Sequence, residues 1–393
     1  MSQDKIVIVS GARTPVGRFQ GALATQSAPM LGAVATRAAV ERAKIKQEQV
    51  NELLFGTVLP AGAGQAPARQ VALGAGLDIG TQCTTINKVC GSGMKAAMIA
   101  HDQLKAGSCE IAVAGGMESM TNAPYLLPNA RGGLRMGHKE IKDHMFYDGL
   151  EDAYTGAAMG SFAQNLADKY QLTRAQMDAY ALESAKRAKK AAKEGYFKAE
   201  ITPINVKTRK GEIEISEDEL PADSDAEKIA RLKPAFAKNG TITAANSSSI
   251  SDGAAALVLT RLEKANELDL KPMAQFVAHT SHAQLPEEFP IAPVEAIRKL
   301  LDKTGWDKES VDLFEINEAF AMVTMRAIDA LGLDAEKVNI QGGGLVLGHP
   351  IGASGARIIV TLLYALQRLE LKRGIACLCI GGGEATAIGV EML

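Results

Sequence analysis

Short, uniformly apolar runs alternate along most of this chain with stretches whose apolar residues recur every three or four positions. Residues 6–9 form such a run and close on Gly11, as a buried strand does, and the turn-rich Arg13-Thr14-Pro15-Val16-Gly17 follows. Residues 29–44 place Met30, Leu31, Val34 and Ala38 on one side, with Ile45 just beyond, which predicts a helix. Residues 51–59 read as a second strand and 66–75 as a helix. Residues 83–86 read as a third strand leading into a helix over 94–104, and 110–114 as a fourth strand ending in Gly115-Gly116-Met117-Glu118-Ser119. Strands that are apolar throughout and alternate with helices indicate an α/β fold with a largely parallel sheet covered on both faces.

The same order recurs in the last third. Residues 273–278 predict a strand, 293–303 a helix, 311–316 a strand, 318–331 a helix and 338–340 a third strand. A Gly-rich turn then carries His349 into a helix over 353–369, and a strand over 375–380 closes the series at Gly381-Gly382-Gly383. Cys90 and His349 thus fall at matching points, each at the start of the penultimate helix, and Gly115-Gly116 match Gly381-Gly382. Internal duplication of one α/β unit accounts for this; chance likeness of two ordinary α/β halves is the plainer alternative.

Residues 120–243 differ in kind. Residues 120–150 are irregular and contain Pro124, Pro128, Gly132, Gly133 and Gly137; their length points to a functional cover or an oligomer contact. Thr173-Arg174-Ala175-Gln176 is a capping-box start for a helix running to Glu194 and stopped by Gly195. Residues 201–215 alternate as a hairpin around Arg209-Lys210-Gly211, and 217–227 read as a solvated acidic loop. The expected units are residues 1–119 with 244–270, an inserted loop domain over 120–243, and 271–393.

Composition narrows the function. With 393 residues, 47% hydrophobic and only 5% aromatic, and 38 glycines, the chain can bury a large core of closely packed helices on sheets. A net charge of −2 and the lack of a basic stripe with interleaved aromatics argue against nucleic-acid binding. Five cysteines show neither a disulfide framework nor a CxxC metal site, so no metal is expected. The opening residues lack the apolar core of a signal peptide, and no apolar run reaches the length of a membrane span. A reducing cytoplasm is the expected location.

Four stretches carry unusual chemistry. Cys90 lies in Asn87-Lys88-Val89-Cys90-Gly91-Ser92-Gly93-Met94, between a strand end and a helix start, where free backbone N–H groups and the helix dipole favour a thiolate. The others are Asn317-Glu318-Ala319-Phe320, Gly348-His349-Pro350, and Cys379 before three glycines. Singly, Cys90 reads equally as a buried structural cysteine, Asn317 as a helix cap, His349 as a turn residue and Cys379 as core. The matched halves put all four at one sheet edge, where ligands of open α/β sheets gather. Together they offer a nucleophile, a base, a second thiol and an oxyanion donor, the requirements of acyl transfer.

These motifs, with Gly342 to Ala356 and Cys379-Ile380-Gly381-Gly382-Gly383, resemble the thiolases over essentially the whole length, most closely their acetyl-CoA acetyltransferase group. The resemblance implies a duplicated five-layered α/β/α/β/α architecture with an inserted loop domain. It implies that Cys90 attacks an acyl-CoA thioester while His349 takes its proton, and that Cys379 removes a proton from the methyl group of a second acetyl-CoA. Asn317, through a water, and His349 would stabilise the enolate oxygen; the N–H groups of Cys90 and Gly381 would hold the thioester oxygen. Coenzyme A would be substrate, with no permanent cofactor. Ser248 and Ala244 would line its pantetheine, and Leu150, Met159, Ala319 and Phe320 the thioester end. Lys228, Arg231 and Lys233 are candidates for its phosphates, a surface face being the plainer reading. A homotetramer, formed through residues 120–150, is implied too.

Some positions depart from the family pattern: Ala158 stands where short-chain members often have His, Gln341 where Asn is usual, Ala385 where Gly is usual, and Ser249 and Ser251 replace Gly and Asn. Ala158 loosens the case for a strictly short acyl pocket. The expected reaction is the reversible Claisen condensation of two acetyl-CoA to acetoacetyl-CoA and CoA. Alternatives are a thiolase of fatty-acid breakdown acting on longer 3-oxoacyl-CoA, a cysteine hydrolase of thioesters, and a catalytically silent acyl-CoA carrier.

Overall fold

A computed structural model describes residues 5–209, 211–219 and 226–393. Residues 1–4 of the opening stretch, Lys210 of the hairpin turn and residues 220–225 of the acidic stretch lie outside the described residues.

Most of the strands join in one mixed sheet whose order repeats. In the N-terminal half the order is Gln82–Ile86, Glu52–Gly56, Ile111–Ser119, Ser251–Arg261, Ile6–Arg13. In the C-terminal half it is Leu313–Ile316, Arg373–Ile380, Glu384–Met392, Ala274–Ala283, with Val338 bridging to Phe314 at the outer edge. Counted along the chain, each half therefore runs third, second, fourth, fifth, first. Two such orders by chance are improbable, so the likeness of the halves goes deeper than sequence rhythm. The halves meet where Val7 and Ile8 pair with Gln275 and Ala274.

The largely parallel sheet expected from the apolar runs is not what forms. Among the described residues, parallel ladders join only Glu52–Gly56 to its two neighbours and Leu313–Ile316 to Arg373–Ile380. The remaining ladders are antiparallel, because each half ends in a strand that runs back beside its predecessor. In the C-terminal half that return is the three-glycine turn, so Glu384–Met392, rather than residues 375–380, closes the series. In the N-terminal half it is Ser251–Arg261, which pairs Ala255 with Gly116 and Ala256 with Gly115 and so draws those glycines into the strand Ile111–Ser119. Uniform burial on both faces cannot distinguish parallel from antiparallel strands.

Residues 338–340 make no ladder. The Asn339 side chain takes the place of a strand: its Oδ1 accepts from Ile316 N at 2.8 Å and its Nδ2 donates to Ile316 O at 2.8 Å. The edge strand Gln82–Ile86 is largely open to solvent rather than covered.

Helices form three layers around the two halves of the sheet. Ala28–Ala43 and Pro67–Ala75 pack outside the N-terminal half, with Leu31, Ala35, Val71 and Phe55 in one core. Ala292–Thr304 and Ala321–Leu331 pack outside the C-terminal half, with Ile297, Leu300, Phe314 and Ile375. Between them lie Ser92–Ala106 and Ser354–Arg368, the matched helices, in a core drawn from both halves. They touch almost backbone to backbone: a Cβ on Gly355 would lie 2.4 Å from Met94 N, and one on Gly93 would lie 2.9 Å from Ala356 N. This contact brings the two helix N-termini together, and with them Cys90 and His349.

Gly355→Ala should therefore destabilise the protein by about 2 kcal/mol, because overpacking at this crossing outweighs the ~1 kcal/mol helix-propensity gain. Thermal denaturation checks this; an unchanged or raised midpoint would show that the close crossing is not needed.

Residues 120–250 interrupt the N-terminal half. Thr173 caps the helix Arg174–Lys193 with the expected box, Gln176 N donating to Thr173 Oγ1 at 3.3 Å and Thr173 N to Gln176 Oε1 at 2.8 Å. With Met159–Lys169, this helix packs Phe162, Met177 and Ala181 in one core with Phe320, Met322 and Leu345 of the C-terminal half. The hairpin forms as Ile204–Thr208 and Gly211–Ile215.

Candidate active site

Cys90 is held in a tightly laced turn. Val89 N donates to Asn87 Oδ1 at 2.9 Å, Lys88 N to Ser92 Oγ at 2.8 Å, and Ser92 Oγ to Val89 O at 2.7 Å. These bonds hold Val89 at φ +46°, a left-handed conformation that a β-branched residue adopts only under constraint, at a cost of about 1–3 kcal/mol. The turn feeds the helix Ser92–Ala106 and presents Cys90, half-buried, to a cavity.

Asn317 follows the strand Leu313–Ile316 and extends its register, donating from N to Cys377 O at 2.9 Å. The helix expected from residue 318 begins only at Ala321, so Asn317 caps nothing; it lies buried beside His349. Glu318 is the buried anchor of this corner. Its carboxylate accepts from Tyr180 Oη and Ser184 Oγ at 2.8 Å, Asn339 Nδ2 at 3.0 Å and Leu345 N at 3.2 Å. Burial beside that charge holds the Tyr180 phenol well above its usual range.

His349 N donates to Ser249 O at 3.1 Å, and its Nδ1 lies 2.5 Å from Ser354 Oγ. Ser354 donates its single proton to Pro350 O at 2.9 Å, so the Ser354 oxygen accepts from His349 Nδ1–H. That tautomer leaves Nε2 unprotonated, and Nε2 is buried with no hydrogen-bond partner. Asn317 Nδ2 stands 3.5 Å from Nδ1.

Electrostatics corrects one expectation. Burial pushes the Cys90 thiol up to about 11, although the N–H groups of Gly381 and Cys90 itself oppose the rise. The helix start does not outweigh desolvation, so Cys90 rests as a thiol rather than a thiolate. Burial, with the nearby Arg357 guanidinium, lowers His349 to about 3 and keeps it neutral. A neutral thiol that shares a cavity with an unprotonated imidazole has a proton acceptor within the same enclosure. Cys379 is fully buried, and burial together with the neighbouring Cys90 and Cys377 holds its thiol far above the ordinary range. Cys379 thus lies within electrostatic reach of Cys90.

Cys90, His349 and Gly381 share one cavity of about 300 Å³. Leu150, Met159, Ser248, Ala319 and Phe320 line it as well. Cys379 and Asn317 lie just behind the wall, and Ala244, Lys228, Arg231 and Lys233 do not line it. Those last four are exposed, the three basic residues on the segment that sends Phe236 into the cavity. Sequence reasoning missed Met120, Met145, Phe146, Phe236 and Phe289 in the lining, and Ser354 as the residue that orients His349. Ser354 could have been flagged by its hydroxyl five positions after the histidine; the scattered apolar residues carry no such signal.

Elsewhere, His101 Nδ1 and His279 Nε2 both lie 2.9 Å from Asp102 Oδ1, a hydrogen-bonded tie between the helix Ser92–Ala106 and the strand Ala274–Ala283. The five cysteines are all free. Among the described residues no helix is long and apolar enough to cross a membrane.

Comparison with known proteins gives the family. The family description "Thiolase, N-terminal domain" matches residues 6–263, and "Thiolase, C-terminal domain" matches residues 270–392. The chain belongs to the thiolase family. It is 49% identical over 385 residues to an acetyl-CoA acetyltransferase of Pseudomonas aeruginosa, covering 98% of each chain. It is 47% identical over 392 residues to the mitochondrial acetyl-CoA acetyltransferase of Mus musculus, covering 99% of this chain and 92% of the relative. The crystal structure of the Bacillus anthracis acetyl-CoA acetyltransferase superposes with a TM-score of 0.97 at 43% identity, covering 100% of this chain and 99% of that one.

Proposed function

We propose that this chain is an acetyl-CoA C-acetyltransferase that interconverts two acetyl-CoA with acetoacetyl-CoA and CoA through an acetyl-Cys90 intermediate. The observation that carries the reading is the meeting of the Cys90 thiol, the bare Nε2 of His349 and the Gly381 N–H at one apolar cavity. Its relatives at 45–49% identity bear that name.

In this reading Cys90 Sγ attacks the thioester carbonyl while His349 Nε2 takes the thiol proton. The carbonyl oxygen sits on the N–H groups of Cys90 and Gly381, two residues of the cavity wall. The departing CoA sulfur takes the proton of Cys379, leaving a strongly basic thiolate. After a second acetyl-CoA enters, Cys379 removes a methyl proton. The enolate oxygen is held by the His349 imidazolium and, through water, by Asn317. Enolate attack on acetyl-Cys90 forms the carbon–carbon bond and expels the Cys90 thiolate, which recovers its proton from His349. Protons balance over the cycle, and no permanent cofactor is needed.

CoA would thread along Ser248 and Ala244, with its phosphates toward Lys228, Arg231 and Lys233. The loop bearing Ser248 is fastened to two parts of the cavity wall, Ser248 N donating to Ala319 O at 2.9 Å and Ser249 O accepting from His349 N at 3.1 Å. A homotetramer is supported by the apolar side chains that residues 120–154 leave in solvent, among them Met136 at 96% and Tyr154 at 82% exposure. Free thiols throughout fit a reducing cytoplasm.

Thiolysis across a chain-length series tests the assignment. The expected kcat/KM is highest for acetoacetyl-CoA and at least about tenfold lower for 3-oxooctanoyl-CoA, since Phe146, Phe236, Phe289 and Phe320 fill space that a longer chain would need. A preference for the longer substrate would instead assign the chain to fatty-acid breakdown.

A further inference from the structure

The two N–H groups proposed to hold the thioester oxygen come from opposite halves of the molecule. Cys90 N belongs to the turn before the helix Ser92–Ala106, and Gly381 N to the turn between the strands Arg373–Ile380 and Glu384–Met392. An oxyanion hole divided between two bodies works only if their separation is held to about 0.5 Å.

The Gly381 turn has little of its own to hold it. Ile380 and Glu384 form the last pair of the ladder, and the three glycines between them have no side chains. Gly382 and Gly383 stand at φ +92° and +90°, and a Cβ on Gly382 would meet nothing within 4 Å. Gln284 N donates to Gly383 O at 2.8 Å at the far side of the turn.

On the near side, Lys88 Nζ is ion-paired with Glu384 Oε2. Lys88 belongs to the Cys90 turn: its N donates to Ser92 Oγ at 2.8 Å and its O accepts from Gly91 N at 3.0 Å. The pair therefore fastens the backbone that carries the nucleophile to the first residue after the glycine turn. Both side chains are partly buried, at 22% and 35% exposure, so solvent screens them less than a surface pair. Neither residue lines the cavity.

We infer that the Lys88–Glu384 ion pair is a positioning device for acyl transfer, setting the Gly381 N–H at its working distance from the Cys90 sulfur. The inference rests on the reading of Cys90 and Gly381 given above. Neither residue touches substrate; they act through the two turns they join. A displacement near 1 Å at reacting atoms costs on the order of a hundredfold in rate, and three glycines have no side chains to resist smaller shifts once the tie is cut.

The test is a charge cycle on the full-length enzyme. Acetylation by labelled acetyl-CoA is followed in rapid-quench experiments, with steady-state thiolysis of acetoacetyl-CoA alongside. Lys88→Ala and Glu384→Ala should each slow acetylation about tenfold or more and lower kcat, with KM for CoA within twofold. The double alanine variant should be no slower than either single, and the exchanged pair Lys88→Glu/Glu384→Lys should recover most of the rate. Lys88→Arg keeps the pair and should stay near wild type, which guards against a loss due to misfolding. Single variants within twofold of wild type, additive losses in the double, or no recovery on exchange would overturn the inference. An exchange that fails while both singles are slow would mean that Lys88 acts as a charge on Cys90 rather than as a tie. Peptide mapping of the label separates this from the reading beneath it: label absent from Cys90 in the wild type ends that reading, whereas label on Cys90 at a rate indifferent to the pair ends the inference alone.

Discussion

Replacement of Cys90 by alanine is expected to remove acetylation of the protein by labelled acetyl-CoA and to lower turnover by roughly 10⁴-fold or more, because covalent catalysis loses its only reacting atom. The fold should survive. Cys90 is half-buried at the cavity wall, and its turn is held by Asn87 and Ser92 rather than by the sulfur. Alanine at this position therefore separates chemistry from stability: thermal denaturation should change little while acyl-enzyme disappears. Persistent labelling on another residue would mean that the nucleophile lies elsewhere, and the remaining assignments around this cavity would go with it.

His349→Ala should come next in severity, at about 10²–10⁴-fold in kcat, the usual contribution of a positioned general base. The sign of its pH behaviour follows from the two buried groups. Cys90 sits near 11, above an ordinary thiol, so at neutral pH almost none of it is thiolate. His349 sits near 3, below an ordinary imidazole, so it stays neutral and able to accept a proton down to acidic pH. Alkylation of Cys90 by iodoacetamide should therefore accelerate about tenfold per pH unit between pH 7 and 10, with no plateau near neutrality. A plateau near pH 7 would reveal a preformed thiolate–imidazolium pair and overturn the neutral resting state. In the His349→Ala protein, the slow rate of turnover should rise steeply with pH as hydroxide supplants the missing base.

Ser354 belongs to the same unit. It receives the Nδ1 proton of His349 and so selects the tautomer whose Nε2 is free. Arg357, one turn further along the same helix, is buried with Nη1 4.0 Å from Glu315 Oε2, and its charge disfavours the imidazolium. Ser354 and Arg357, which set the tautomer and charge of His349, thus lie on a single helical segment, the one that packs through Gly355 against the helix that follows Cys90.

Much of this arrangement was legible along the chain, and the reasons are local. Helix spans could be placed within a few residues because caps and apolar periodicity are written in neighbouring side chains, as at Thr173 and Gln176. The doubled order of strands and helices is legible for the same reason, and it sets Cys90 and His349 at matching points of the two halves. Cys90, His349, Asn317 and Cys379 stood out because thiol, imidazole and amide groups beside glycines are unusual among apolar runs.

What the tertiary structure decided depends on partners distant in sequence. Strand direction was one such matter: buried strands look alike in parallel and antiparallel pairing, and only the return of Ser251–Arg261 and Glu384–Met392 beside their predecessors made most of the sheet antiparallel. The place of residues 338–340 was another, because the Asn339 amide took hydrogen bonds that a strand backbone would have supplied. The resting charge of Cys90 was a third. A helix start predicts a thiolate, but desolvation in a closed apolar cavity outweighs the dipole, and how closed a cavity is depends on Met120, Met145, Phe236 and Phe289 arriving from separate segments. Local chemistry chose the reacting groups; the enclosure built by remote side chains chose their protonation.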